Sequence, residues 1–226
     1  MDVNSAELVG QDGILRPIVN RPHDYRENFG VKTPHFLVAT FHSRRLPHLH
    51  SVGQPTFLTW RLDGSLPAGR SFPAAGSSGR AFLAIDRVLD TASTGPLFLR
   101  MTEVARVVVD AIRYRDQQAY QLHAFVVMPN HVHILITPLE EVSKVMHSLK
   151  RFTAREANLL LGRTGQPFWQ DESYDRLVRD DSEFERIAGY IERNPVTAGL
   201  ATMLEAFLWS SARPIDNRPQ VDNLPH

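Results

Sequence analysis

The chain has 226 residues, with 25 Lys and Arg against 25 Asp and Glu, ten His and no cysteine. That length suits one sizeable domain with extensions. The absence of cysteine excludes disulfides, thiolate metal ligands and a cysteine nucleophile, and zero net charge leaves any nucleic-acid contact to local clusters of Lys and Arg.

Residues 1–36 are polar, punctuated by Pro17, Pro22 and Pro34, and read as a poorly ordered extension ahead of a domain over residues 37–213. No apolar leader follows Met1 and no 18 apolar residues run together, so a cytoplasmic protein is expected. Arg44 to His50 is a short basic patch, expected as a solvated loop or a phosphate contact. Pro55 to Leu62 alternates as a strand ended by Asp63-Gly64, and Ser65 to Gly79 is loop-like in its Gly, Pro, Ser and Ala content. Helical spacing of Phe82, Ile85 and Leu89 predicts a helix over 81–91. A second helix, N-capped by Thr102 and apolar at Val104, Val107, Val108, Ala111 and Ile112, is expected to pack on a sheet.

Two Val- and Ile-rich runs, Tyr120 to Val127 and His131 to Pro138, read as strands joined by Met128-Pro129-Asn130. Glu141 to Leu161 is a long helix, apolar at Val142, Val145, Met146, Leu149, Phe152 and Leu159, with Lys144, Lys150, Arg151 and Arg155 as its basic component. Phe168 to Arg179 is an extended segment. Ser182 and Glu185 read as a capping box for a last helix, apolar at Phe184, Ile187, Ala188 and Ile191, which Pro195 is expected to end. A polar tail spans 214–226. The order of elements implies an α+β domain with helices packed on an antiparallel sheet, similar to the ferredoxin-like split βαβ plan.

His131 and His133 stand two residues apart on one strand, so their side chains share a face about 6.6 Å apart and can converge on one ion. Val132, Ile134 and Ile136 supply the opposite, apolar face. The same pattern also describes two polar residues on the solvated side of a half-buried strand. On the last helix, Tyr190 and Asn194 at i and i+4 bring a phenol and an amide onto one face, or they are a packed ring and a helix-ending Asn.

Val126-Val127-Met128-Pro129-Asn130-His131-Val132-His133 resembles the metal-binding core of the HUH-type tyrosine transposases, the IS200-like group that includes the REP-associated branch. Phe168 to Asp180, followed by Glu185 to Leu200 with its Tyr190-Ile191-Glu192-Arg193-Asn194-Pro195, resembles the C-terminal signature of that branch. The resemblance spans roughly residues 44–212. It implies that Tyr190 is the nucleophile and that a divalent ion, Mg²⁺ or Mn²⁺, is held by His131 and His133. Asn194 is the candidate third ligand, with Gln170 the alternative. The implied partner is single-stranded DNA bearing a hairpin or palindromic repeats, met by Arg44, Arg45, Lys150, Arg151, Arg155, Arg186 and Arg193, and the protein would be a monomer or homodimer. The alternatives are a non-catalytic hairpin-binding protein and a metallohydrolase that uses water as nucleophile.

Overall fold

The computed structural model describes residues 40–44, 46–50, 52–67, 69, 71–72, 79–92 and 95–212, with side chains from Val52 onward. The extension over 1–36, the tail from Arg213 and much of the 65–79 loop lie outside the described residues. Two short strands, β1 (Thr40–Arg44) and β2 (Leu46–His50), pair antiparallel with Thr40 opposite His50. The basic patch is therefore extended and paired, against the loop reading. Its Pro47 and alternating His residues gave no strand signal. The side chain of Arg44, and Arg45 altogether, lie outside the described residues.

The core is a four-stranded antiparallel sheet in the order β4-β5-β3-β6, built from β3 (Thr56–Leu62), β4 (Tyr120–Val127), β5 (His131–Pro138) and β6 (Trp169–Leu177). With α1 (Gly79–Asp90) and α2 (Thr102–Tyr114) after β3, and α3 (Val142–Leu160) after β5, this is the split βαβ order expected of a ferredoxin-like α+β domain. A further helix, α4 (Asp181–Thr197), follows β6.

The period of two along each strand sends alternate residues to opposite faces. Leu58, Trp60, Leu62, Val132, Ile134 and Ile136 form one buried cluster with Val104, Val108 and Ile112 of α2 and Val145 and Leu149 of α3. Phe57, Leu135, Ala124 and Val126 form the other with Phe82 and Leu89 of α1 and Ala188 and Ile191 of α4. Both faces are covered, so the histidines that share a face with Leu135 are interior, and the solvated-strand reading fails.

Three boundary expectations are corrected. Thr102 opens α2, with Met101 at the cap position and no side-chain cap bond. The cap of α4 is Asp180, whose Oδ1 accepts from the Glu183 backbone N–H at 2.8 Å and from Ser182 Oγ at 2.7 Å, so Ser182 and Glu185 form no capping box. Pro195 lies inside α4 because a proline lacks only its own N–H. The last turn continues past it, closed by Ala198 N–H to Asn194 O and Leu200 N–H to Pro195 O.

Glu183, 1% exposed, anchors the start of α4. It accepts from Arg176 Nε and Nη2 at 2.9 and 2.7 Å and from the Arg179 backbone and Nε at 3.0 and 2.9 Å. The hydrogen bonds from Arg179, foremost among these partners, hold its carboxyl down at about 2. A carboxylate depressed on folding contributes stability above its unfolded pKa, and that contribution is lost as pH falls from about 4.5 toward about 2. Glu183→Gln is expected to cost about 3 kcal/mol at pH 7. In chemical denaturation at pH 2 the gap to the wild type should narrow.

Candidate metal and nucleophile site

The β3–β5 register fixes the site. Thr59 pairs with His133 and Arg61 with His131, so all four side chains belong to the α1/α4 face. His131 and His133 are 0% exposed. Each is gripped on one ring nitrogen: His131 Nδ1 donates to Asn130 Oδ1 at 2.7 Å, and His133 Nδ1 lies 2.7 Å from Thr59 Oγ1. Asn130 is itself oriented by donating its Nδ2 to Leu89 O at 3.0 Å, which leaves its Oδ1 as the acceptor. His131 therefore carries its proton on Nδ1 and presents the Nε2 lone pair inward. Such outer partners are what set a ligating imidazole.

Facing the two Nε2 atoms is a side chain that sequence reasoning missed. Asp86 of α1 is 1% exposed, with Oδ2 3.4 Å from His133 Nε2 and Oδ1 3.8 Å from His131 Nε2. One turn on, Asp90 Oδ1 is 3.6 Å from His131 Nε2. The signal was present in the sequence. Asp86 stands four residues after Phe82 and three before Leu89, an acidic residue on the apolar stripe of its helix.

From the other side, α4 brings Tyr190 and Asn194. The Tyr190 hydroxyl donates to Asp86 Oδ2, and Asn194 Nδ2 lies 3.5 Å from the Tyr190 oxygen. The structure thus gathers His131, His133, Tyr190 and Asn194 around Asp86. Gln170 sits on β6, where its carbonyl accepts from Lys150 Nζ at 2.6 Å.

The donor set fits a divalent cation. Ligand atoms of Asp86, His131 and His133 lie within 4.8 Å of one another. Nε2 of both histidines and Oδ1 of Asp86, Asp90 and Asn194 are buried without hydrogen-bond partners. Buried polar atoms left unpaired are costly, and an ion bound among them would satisfy them together.

The electrostatics agree with this arrangement. Burial and then His133 push His131 down to about 3, against the pull of Asp86, so the imidazole is neutral and able to ligate. Burial by itself would raise the Asp86 carboxyl, but the facing His133, with His131 behind it, holds it below its ordinary value. Burial, reinforced by the charge on Asp86, raises Asp90 to about 7.

The predicted basic residues are dispersed. Arg186 is 63% exposed and lies 3.5 Å from Glu183. The Arg193 guanidinium folds along α4 over Gly189, where an added Cβ would come within 2.9 Å of its Nη2. Arg151 and Arg155 are exposed on α3, on the far side of the sheet from Tyr190, and Arg155 pairs with Glu156 at 2.7 Å. Lys150 spends its ammonium on the carbonyls of Gln170 and Asp171.

Residues 101–194 match the family described as Transposase IS200 like. Over these residues, less than half of the chain, the sequence is similar to the IS200-like transposases. Asp86, Asp90, Thr59 and Arg61 fall outside the matched segment. A solved structure of a REP-associated tyrosine transposase bound to a REP hairpin is 16% identical with a TM-score of 0.46, over 86% of this chain and 94% of that one. A protein from Deinococcus radiodurans R1, described as a transposase, is 20% identical with a TM-score of 0.37, over 62% of this chain and 89% of that one. A search of curated proteins finds no match. Among the described residues, no helix of this chain is long and apolar enough to cross a membrane.

Two outcomes are expected of the site. Titration of Mn²⁺ by calorimetry should show affinity lowered at least tenfold in His131→Ala, His133→Ala and Asp86→Asn; unchanged affinity in all three would return these residues to a structural role. The second outcome concerns Asp90. Because its pKa is raised on folding, from 3.8 to about 7, its neutral form stabilises the fold at low pH and that contribution is lost as pH rises toward 7. In metal-free protein, Asp90→Asn should therefore raise stability by on the order of 2 kcal/mol at pH 8 and change it little at pH 4.

Proposed function

We propose that this protein is a metal-dependent single-stranded DNA endonuclease and strand transferase of the REP-associated kind, acting on hairpin-bearing DNA through Tyr190. The observation that carries the reading is the convergence of a tyrosine hydroxyl on the same buried carboxylate that faces two strand histidines. The preference for a hairpin rests on the two sequence motifs and their order.

His131, His133 and Asp86 would hold the ion, with Asn194 Oδ1 as a further donor. Two imidazoles beside carboxylate oxygens suit Mn²⁺ better than Mg²⁺, which prefers oxygen alone. When bound, the ion would polarise the scissile phosphate and draw off its developing charge. The protein's own groups orient the attack. Asp86 fixes the phenol through its hydrogen bond and is placed to receive the proton as the Tyr190 oxygen becomes the nucleophile. That oxygen forms a bond to phosphorus while the bond to the 3′ oxygen breaks. A 5′-phosphotyrosyl link and a 3′-hydroxyl result, the latter taking up the proton. Since the new ester conserves the energy of the old one, a 3′-hydroxyl can reverse the step and join strands without ATP. Arg186 and Arg193, on the Tyr190 helix, would offset phosphate charge.

Tyr174, the competing nucleophile, is 3% exposed and stacked on Phe82 at 4.3 Å. Its burial raises the phenol's pKa, which disfavours the ionised form. Tyr190→Phe is expected to abolish the covalent protein–DNA adduct on denaturing gels while Mn²⁺ and hairpin binding persist, and Tyr174→Phe should keep the adduct. Cleavage without an adduct in the wild type would establish water as the nucleophile. Hairpin binding with neither cleavage nor adduct would leave a binding protein.

A further inference from the structure

We propose that Arg61 is a phosphate-binding site for the DNA strand that runs past the metal histidines. This rests on the DNA-processing reading above and adds a site outside the residues that match the family.

Arg61 is 4% exposed, yet among the described residues it has no carboxylate within ion-pair distance. Its Nε is buried with no hydrogen-bond partner, its Nη1 reaches Ser65 Oγ only at 3.5 Å, and its guanidinium lies 5.8 Å over the Phe72 ring. Burial holds its pKa below the ordinary value, and the charges of Glu172 and Asp63, neither of them within ion-pair distance, offset that only in part.

Its place supplies the reason. Arg61 is the cross-strand partner of His131, on the same face of the sheet. On its other side the β3–β6 register breaks. Trp60 pairs with Ser173 and Leu62 with Trp169, which leaves Arg61 opposite the bulged Gln170-Asp171-Glu172. Lys150 comes to that bulge from α3 and binds the carbonyls of Gln170 and Asp171. Burial brings Lys150 down to about 8 against the charge of Asp171, with the charge on Arg61 adding to the shift. Arg61, with an unpaired Nε and no carboxylate in ion-pair contact among the described residues, has a donor to offer an anion. A phosphodiester is the anion this reaction brings to this face, and a planar guanidinium can grip it through two N–H groups. Ser65 and Phe72 lie against Arg61, so a strand meets its guanidinium only where these side chains give way.

The test uses full-length protein and a hairpin oligonucleotide with a single-stranded flank, its affinity measured by fluorescence anisotropy from 50 to 300 mM salt. Arg61→Met should bind about tenfold more weakly or worse, and the slope of log affinity on log salt should fall by about 0.7, one single-strand phosphate contact. Arg61→Lys should recover part of both. Because an apolar side chain of similar length replaces an unpaired buried charge, the Arg61→Met protein should melt no lower than wild type. A wild-type salt slope in Arg61→Met, whatever its melting temperature, overturns the proposal. Should wild type bind no DNA at all, the functional reading fails separately. Arg61 is then judged by pyrophosphate alone: a rise in the melting temperature of wild type but not of Arg61→Met supports the site, and equal shifts overturn it.

Discussion

The Nδ1 atoms of His131 and His133 are each held by an oxygen of a neighbouring side chain, and everything chemical in this protein follows from what that leaves over. With one nitrogen of each ring engaged by Asn130 and Thr59, both Nε2 atoms point into a space that contains Asp86 and excludes water. The grip from Thr59 exists only while β3 and β5 keep their register, Thr59 opposite His133. A slip of one residue would send the histidines to the α2/α3 face and an apolar residue to the site. What prevents the slip is the apolar alternation of Leu58, Trp60 and Leu62 against Val132, Ile134 and Ile136, which has a core to fill on the other side. Hydrophobic packing on one face of the sheet thus sets the metal geometry on the other.

The two helices on the chemical face bring complementary halves. Helix α4 carries the phenol and the amide, and its start is pinned by Asp180 at the cap and by Glu183 under Arg176 and Arg179. Helix α1 carries the carboxylates and is held by the apolar faces of Phe82 and Leu89. Both reach the ion site from their C-terminal parts: Asp86 and Asp90 lie in the closing turns of α1, and Asn194 lies in the last turn of α4, one turn after Tyr190.

Much of this was legible in the chain. Strands β3, β4 and β5 and helices α1 to α3 declared themselves by period, because each has one strongly apolar face. The convergence of His131 with His133, and of Tyr190 with Asn194, was visible as spacing. The carboxylates were not. Asp86 and Asp90 sit 45 and 41 residues before His131 in the sequence, and only the fold of the intervening β3–α2 connection brings them to it. Arg61 was hidden for a different reason: on an edge-proximal strand it reads as an ordinary solvated residue, and the bulge in β6 that leaves it unpaired has no sequence mark. The basic residues of α3 misled in the opposite sense. Lys150 was counted with Arg151 and Arg155 as one surface, yet it turns away from them to satisfy the carbonyls of the bulge.

The burial of the site sets a condition on its chemistry. With both histidines and Asp86 at or below 1% exposure, a phosphodiester can reach them only if the packing of α1 and α4 over them loosens. Asp86 stays with the imidazoles as ligand and base, so the cost of opening falls on the apolar packing around it. Uncovering Phe82 and Leu89 forfeits roughly 2 kcal/mol for each side chain, and the stack of Phe82 on Tyr174 is lost with them. Opening without DNA would therefore be disfavoured by about 4 kcal/mol, which at 1.4 kcal/mol per factor of ten leaves the open form on the order of one molecule in a thousand. A strand that binds must supply that energy from contacts away from the scissile phosphate, and a buried guanidinium with an unpaired donor is the kind of group that can return it.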